Sequence, residues 1–273
     1  MKTICDTLEI ARSNLSIKTH STRKKYTKND DFWILEKIRK VIDGKPSYGY
    51  RRVTARLCLE FEKEGKSRVN AKRIYRIMKQ ESLLLQRHTG RPTQTHDGQI
   101  IALASNLRWC SDCFEIRCWN GEKIQVAFSL DCCDREAICY IATTGGISGE
   151  MIRDLMLESV EQRFGPNTKK LPCSIQWLSD HGPPYVAAET REHGKKLGFL
   201  ICNTPSYSPE SNGMAEAFVK TFKRDYVYLN QLENAQTVLE QLPAWFEDYN
   251  ETAPHKGLKM KSQRQLMRLN KIG

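Results

Sequence analysis

The sequence contains no run of about 18 consecutive apolar residues, so it offers no segment for a membrane-spanning helix. Its first residues, Met1-Lys2-Thr3-Ile4-Cys5-Asp6, lack the apolar core of a secretory signal. Cysteine pairing at metal-ligand spacing occurs once, in Cys110-Ser111-Asp112-Cys113. No second such pair, nor a histidine pair at zinc-finger spacing, completes four ligands. The ten cysteines are therefore read as reduced, mostly buried small side chains, which suits a reducing compartment. Internal repeats, long low-complexity tracts and leucine-zipper heptads are missing too. A cytoplasmic or nucleoid-associated protein is the expectation.

What is present is a chain of 273 residues, 40% hydrophobic and 27% charged, long enough for one large domain and a small one. The net charge of +11 is unevenly placed. Residues 1–95 hold 23 Lys/Arg against 10 Asp/Glu, and residues 96–273 hold 20 against 22. The basic excess belongs to the N-terminal third, as a polyanion-binding module on a near-neutral body would have it.

The periodicity divides the chain in the same way. Residues 1–30 are polar, with the basic cluster Arg23-Lys24-Lys25. From Phe32, the residues Ile34, Leu35, Ile38, Val41 and Ile42 recur at helical spacing. Gly44-Lys45-Pro46-Ser47 breaks that helix, and a second spans Tyr50 to Glu64 over Val53, Leu57 and Phe61. Asn70 is a suitable N-cap for a third helix burying Ile74, Ile77 and Met78, with Lys72, Arg73 and Arg76 off the apolar face. Three short helices, the last of them basic, predict a helix-turn-helix-like unit over 31–87 with its third helix along DNA. A polar linker, 88–104, follows.

Beyond it, Leu107–Cys118, Lys123–Asp131 and Ala137–Thr143 read as strands, with Asn120-Gly121 as a turn. Then come a helix (Met151–Phe164), a strand (Cys173–Ser179), a helix (Ala187–Leu197) and a strand (Phe199–Asn203). A long helix from near Asn212 towards Tyr228 and another over Leu239–Tyr249 complete an α/β domain over 105–270. Trp119 and Trp245 are expected in strand and helix cores.

Three carboxylates stand out by their context. Asp112 falls within the first strand, and Asp180 ends the apolar run Ser174-Ile175-Gln176-Trp177-Leu178-Ser179. Glu216, separated from Asp180 by thirty-five intervening residues, sits in the first turns of a helix. Brought together they form a pocket that disfavours its own charge unless divalent cations fill it, because neighbouring carboxylates raise one another's pKa. Two Mg²⁺ ions, with Mn²⁺ as substitute, suit such hard oxygen ligands and would make a phosphoryl-transfer site. Lys220, Lys223 and Arg224 share the helical face of Glu216 and offer donors to phosphate, although Lys220 reads equally well as an ordinary Glu–Lys surface pair. Asp131 and Asp134 read as a strand-end cap with Arg135 nearby.

These residues lie in motifs. Trp109-Cys110-Ser111-Asp112, Trp177-Leu178-Ser179-Asp180-His181-Gly182 with Tyr185, and Ser208-Pro209-Glu210-Ser211-Asn212-Gly213-Met214-Ala215-Glu216 with Lys223 resemble the DDE integrase core. More narrowly, they resemble the second-frame transposase of bacterial insertion sequences that carry two open reading frames. Tyr48-Gly49-Tyr50-Arg51-Arg52 and Asn70-Ala71-Lys72-Arg73-Ile74-Tyr75-Arg76-Ile77-Met78 resemble the helix-turn-helix segment preceding that core. Tyr249-Asn250 with Pro254-His255 and Leu258 resembles its C-terminal signature. Two departures are visible: His181 with Pro183-Pro184 after the second aspartate, and Lys261-Ser262-Gln263 in place of a Ser-Pro pair.

The resemblance implies an RNase H-like fold, a mixed five-stranded sheet with flanking helices behind the small helical domain. It assigns the catalytic metal triad to Asp112, Asp180 and Glu216, favouring Glu216 over Glu210. It implies that Lys223 holds the element's DNA end, and it places Arg51 and Arg52 among the DNA contacts. His255 reads equally as a DNA contact or as a cap of the last helix. The implied activity is metal-dependent strand cleavage and strand transfer at insertion-sequence ends, on double-stranded DNA. The implied assembly is a homo-oligomeric synaptic complex, with the upstream-frame protein as partner or fusion. The rival expectations are an RNase H-like nuclease that does not join, and a non-catalytic DNA-binding regulator.

Overall fold

The computed structural model describes residues 28–86, 102–203 and 212–270, together with Thr7. Most of the basic N-terminal segment, most of the linker and the loop carrying Glu210 lie outside the described residues.

The helical unit consists of α1 (Asp31–Gly44), α2 (Tyr50–Lys63) and α3 (Ala71–Gln80). Their apolar residues fall three and four apart, so each helix turns one stripe inwards. Ile34 and Ile38, then Val53, Leu57 and Phe61, then Ile74, Ile77 and Met78 form one core with Tyr48. Asn70 caps α3 as expected, its side chain accepting from the Lys72 N–H at 2.8 Å. Gly65, at φ +67°, closes α2. The Lys66 N–H reaches back to the Phe61 carbonyl and the Gly65 N–H to that of Glu62, which satisfies carbonyls the helix leaves open.

The second unit is a five-stranded mixed sheet in the order β3-β2-β1-β4-β5. Strands β1 (Arg108–Arg117), β2 (Lys123–Asp131) and β3 (Ala137–Thr143) form an antiparallel meander. After α4 (Gly149–Phe164), β4 (Ile175–Ser179) returns parallel to β1. Two helices, α5 (Pro183–Val186) and α6 (Ala188–Leu197), lead to β5 (Phe199–Asn203), parallel to β4. Then follow α7 (Gly213–Asp225), α8 (Ala235–Glu251) and α9 (Gln263–Asn270). The bounds of β2, β3 and β5 match the sequence reading.

Strand alternation sorts the sheet's two faces. Cys110, Phe114 and Ile116 of β1 pack against α7 and α8 through Phe218, Phe222, Leu242 and Phe246. Trp109 packs on the other face with Ile152, Leu155 and Val160 of α4 and Leu197 of α6. Burying Phe218 and Phe222 contributes about 2–3 kcal/mol each, which fixes α7 on β1. Trp119 corrects the sequence reading: it is 67% exposed, because β1 ends at Arg117 and the residue falls in the Asn120-Gly121 turn. Trp245 is in the core as expected. Among the described residues, no helix is long and apolar enough to cross a membrane.

Candidate active site

The register of the central strands sets the site. In the parallel pair, Trp109 lies beside Trp177 and Cys110 beside Leu178, so partners differ by 68 in number. Asp112 and Asp180 differ by the same 68, which places Asp180, the residue after β4, on the extension of the row that holds Asp112. Cys110 and Leu178 both face α7 and α8, so alternation turns Asp112 to that face, and Asp180 follows just past the end of β4. Glu216 enters from α7, one residue after the fully buried Ala215.

Asp112 senses the other two carboxylates. The Asp112 carboxyl is pushed up to about 6, first by burial and then by the charges of Asp180 and Glu216, against the pull of the Cys113 N–H. That N–H donates to Asp112 Oδ1 at 2.7 Å, and the Gly182 N–H donates to Asp180 Oδ1 at 2.9 Å. Each aspartate is thereby oriented through one oxygen, as second-sphere donors orient metal ligands. Glu216 accepts from Lys220 at 3.4 Å on the surface. Lys223 Nζ stands 5.6 Å from the Phe114 ring, two residues along β1 from Asp112.

The donor chemistry fits a hard divalent cation: three carboxylates, with Cys113 turned to the opposite face towards Tyr185. Among the described residues, no three Asp, Glu, His or Cys side chains are closed to the distances of a formed metal centre.

Two further groups hold Asp180: Asn203, which the sequence reading did not mark out, and Tyr185, which it named only as part of the motif. The Asn203 amide donates to the Asp180 carbonyl at 3.0 Å from the end of β5. Tyr185 is buried in α5, its hydroxyl 2.9 Å from Ser111 Oγ and 3.4 Å from Cys113 Sγ, which ties the turn after Asp180 to β1. The departure His181-Gly182-Pro183-Pro184 is accommodated. Pro183 opens α5, where its missing N–H is not needed, and His181 is exposed. A cavity of 530 Å³ borders Asp180, lined by Gly182, Pro184, Tyr185 and the 144–147 loop.

Asp131 and Asp134 lie elsewhere. Asp131 pairs with Trp109, at the start of β1, and accepts from the Asn106 and Cys133 N–H groups and the Trp109 indole. Their cationic partner is Arg163, from α4, and Arg135 is nearby as expected, its N–H donating to the Asp131 carbonyl at 2.9 Å.

The nine basic residues expected at DNA are dispersed. Arg73 and Arg76 pair with Asp31 at 2.8 and 2.7 Å. Arg52 and Arg224 both pair with the buried Asp225. His255 is a core residue: 7% exposed, packed edge-on against Tyr249, its Nε2 2.6 Å from Gln263 Nε2. Its burial leaves no surface for DNA. Asn250, of the same C-terminal motif, is a strut that bonds both the N–H and the carbonyl of Ala137. Arg51 and Lys72 are exposed, and Lys72 shares an outward stripe of α3 with Tyr75 and Lys79, three and seven residues on.

Comparison with known proteins accords with this architecture. An HTH-like domain model matches residues 28–91, and two integrase core domain models match residues 102–209 and 197–262. Transposase InsD for insertion element IS2A/D/F/H/I/K of Escherichia coli is 44% identical over 270 residues, spanning 96% of this chain and 88% of that protein. InsD for insertion element IS2-9 of E. coli strain K12 is 44% identical over 96% of this chain and 87% of its own length. Among solved structures, a chain of the simian T-cell lymphotropic virus intasome in complex with PP2A regulatory subunit B56 gamma shares the fold. Its TM-score is 0.50 at 16% identity, over 72% of this chain and 66% of that one, just under two thirds. An RNase H-like integrase core behind a helix-turn-helix-like unit, with identity at this level over nearly its whole length, makes the chain a member of the insertion-element transposases, polynucleotidyl transferases of the integrase-core class.

Proposed function

We propose that Asp112, Asp180 and Glu216 are the carboxylates with which this transposase holds Mg²⁺, two ions per site, with Mn²⁺ able to replace it. The observation that carries the reading is the unbalanced charge at Asp112. Burial and two neighbouring carboxylates oppose its ionisation, and among the described residues the Cys113 N–H is what donates to its side chain. When bound, divalent cations would activate the attacking oxygen and relieve charge on the leaving one.

The protein's own groups do the positioning. Cys113 and Gly182 orient the two aspartates, and Lys220 and Lys223 of α7 offer donors to the phosphates beside them. Water attacks the phosphodiester at the element end in line, its oxygen bonding to phosphorus as the P–O3′ bond breaks and a 3′-hydroxyl is released. That hydroxyl's oxygen then bonds to the phosphorus of a second phosphodiester as its P–O3′ bond breaks and releases a new 3′-hydroxyl, so no side chain becomes covalently linked to DNA. Arg51, Lys72, Tyr75 and Lys79 form the face of the helical unit that meets the duplex. The work is done on nucleoid DNA by paired copies at two element ends, with the upstream-frame protein contributing further DNA contacts.

Labelled element-end duplex with Mg²⁺, compared between wild type and Asp180→Ala, tests this. Joined products that vanish in the variant support it. Cleavage without joining would favour a nuclease, and binding without either would favour a regulator.

A further inference from the structure

The motif Tyr48-Gly49-Tyr50-Arg51-Arg52 resembles a DNA-binding segment, yet Arg52 within it, and Lys45 and Ser47 just before it, reach to the catalytic domain. Ser47 donates its hydroxyl to Asp225 Oδ1, and Arg52 donates to Asp225 Oδ2 at 2.9 Å. Lys45 Nζ donates to the Asp225 carbonyl at 3.0 Å, at the C-terminal end of α7, where the helix dipole favours a cation. Lys45 also lies 3.4 Å from the centre of the Tyr226 ring and 3.3 Å from Asp248 Oδ2, and Arg56 stands 3.5 Å from Asp248 Oδ1. Tyr48 is buried beneath the Arg52 guanidinium, 4.8 Å from ring centre to charge.

Asp225 is 1% exposed, and a carboxylate that deep is stable only with full pairing. Burial works to raise its pKa, but Arg224, Ser47 and Arg52 hold it below the ordinary value. Two of those three partners come from the helical unit. The apolar cores of the two units share no residue, so the joint described here is polar.

Asp225 ends the helix whose first turn carries Glu216. They stand nine helical steps apart, roughly 14 Å of rigid rod. We propose that Asp225 is a positioning residue: through Ser47 and Arg52 it fixes the helical unit to the Glu216 helix, so that the joint acts as a ruler selecting which phosphodiester meets the carboxylates. This rests on the carboxylate reading above. DNA gripped by α3 and the phosphate at Glu216 are then held a set distance apart, and loosening the joint blurs that distance without touching a group that contacts DNA at the site.

The test uses the full chain with Asp225→Asn and, as a second variant on the other side of the joint, Arg52→Gln. End-labelled duplex cut in Mg²⁺ is resolved to the nucleotide, and solution scattering of each protein is recorded alongside. The expected result is one principal cut for wild type. For both variants, the ratio of that cut to its neighbours should fall about tenfold, as loss of ~1.4 kcal/mol of positional preference gives. The radius of gyration should rise as well. A variant that was merely destabilised would lose yield and keep the position. Cuts confined to the wild-type phosphodiester, or scattering profiles that superpose on the wild type, would overturn the ruler. Asp180→Ala leaves the joint intact and separates the two readings. If wild type and Asp180→Ala cut alike, or neither cuts, the carboxylate reading fails, while the scattering of Asp225→Asn still decides the joint.

Discussion

Gly182 donates its N–H to Asp180 Oδ1 at 2.9 Å, and a Cβ on Gly182 would stand 3.0 Å from that same oxygen. The glycine's backbone, at φ −56° and ψ 140°, is one that any residue adopts, so the missing side chain matters for space and not for strain. Gly182→Ala should displace the Asp180 carboxylate and lower strand cleavage ten- to a hundredfold, a loss of the order that small misplacements cause. Its melting temperature should change little. Parallel cleavage assays and thermal melts check this, and an alanine variant with wild-type cleavage would remove the glycine from the account.

Tyr185 tests the support beneath the site. Its hydroxyl is shared by Ser111 and Cys113, while Ser111 also donates to the Phe128 carbonyl at 2.8 Å and keeps that bond in Tyr185→Phe. The phenylalanine variant should lose about 1 kcal/mol of stability, the net worth of one hydrogen bond. Denaturant unfolding measures it. A loss several times larger would mean that the hydroxyl holds more of the fold than these contacts account for.

His255 gives the fold an acid limit. Burial first, and then Arg52 and Arg135, push its pKa down to about 3 from the ordinary 6.5. The folded state refuses a proton that the unfolded chain takes, so stability is complete above about pH 6.5 and falls as pH drops towards 3. The slope is about 1.4 kcal/mol per pH unit. His255→Gln should flatten that limb in melts recorded between pH 4 and pH 7. Identical limbs for both proteins would show that another group sets the acid limit.

Asp112 has the opposite sign. Its folded pKa, about 6, lies above the ordinary 3.8, so the fold keeps this proton longer than the unfolded chain does. Stability from this group is therefore lost as pH rises from about 4 to about 6, where the carboxylate becomes charged among carboxylates. Mg²⁺ should offset that loss, so the rise in melting temperature on adding Mg²⁺ should grow as pH passes through 6. Cleavage should grow over the same interval. A Mg²⁺ effect independent of pH between 5 and 8 would count against Asp112 as a ligand.

Much of this was legible in the chain because the signals are local. Alternating apolar residues between turn formers bounded β2 and β3, and Asn70 announced the start of α3 through its own side chain. Asp112, Asp180 and Glu216 stood out through the motifs around them. The fates of the cations were not legible. Lys45 and Arg52 look as free in sequence as Lys72 does, and only the fold brings Asp225, 173 residues from Arg52, against them. Arg73 and Arg76 likewise meet Asp31 across 42 and 45 residues. His255 read as ambiguous because its burial depends on Tyr249 and Gln263, which only tertiary packing supplies. The absence of a leucine zipper says nothing of the polar joint that ties the two units together.

The central claim is that three carboxylates share divalent metal. Mn²⁺ titration of the full chain on element-end duplex, followed by electron paramagnetic resonance, tests it most directly. Wild type should retain bound Mn²⁺, while Asp112→Asn, Asp180→Asn and Glu216→Gln should each weaken retention at least about tenfold, in keeping with loss of a ligand from a site that few other groups complete. Equal Mn²⁺ retention by all four proteins would contradict the account.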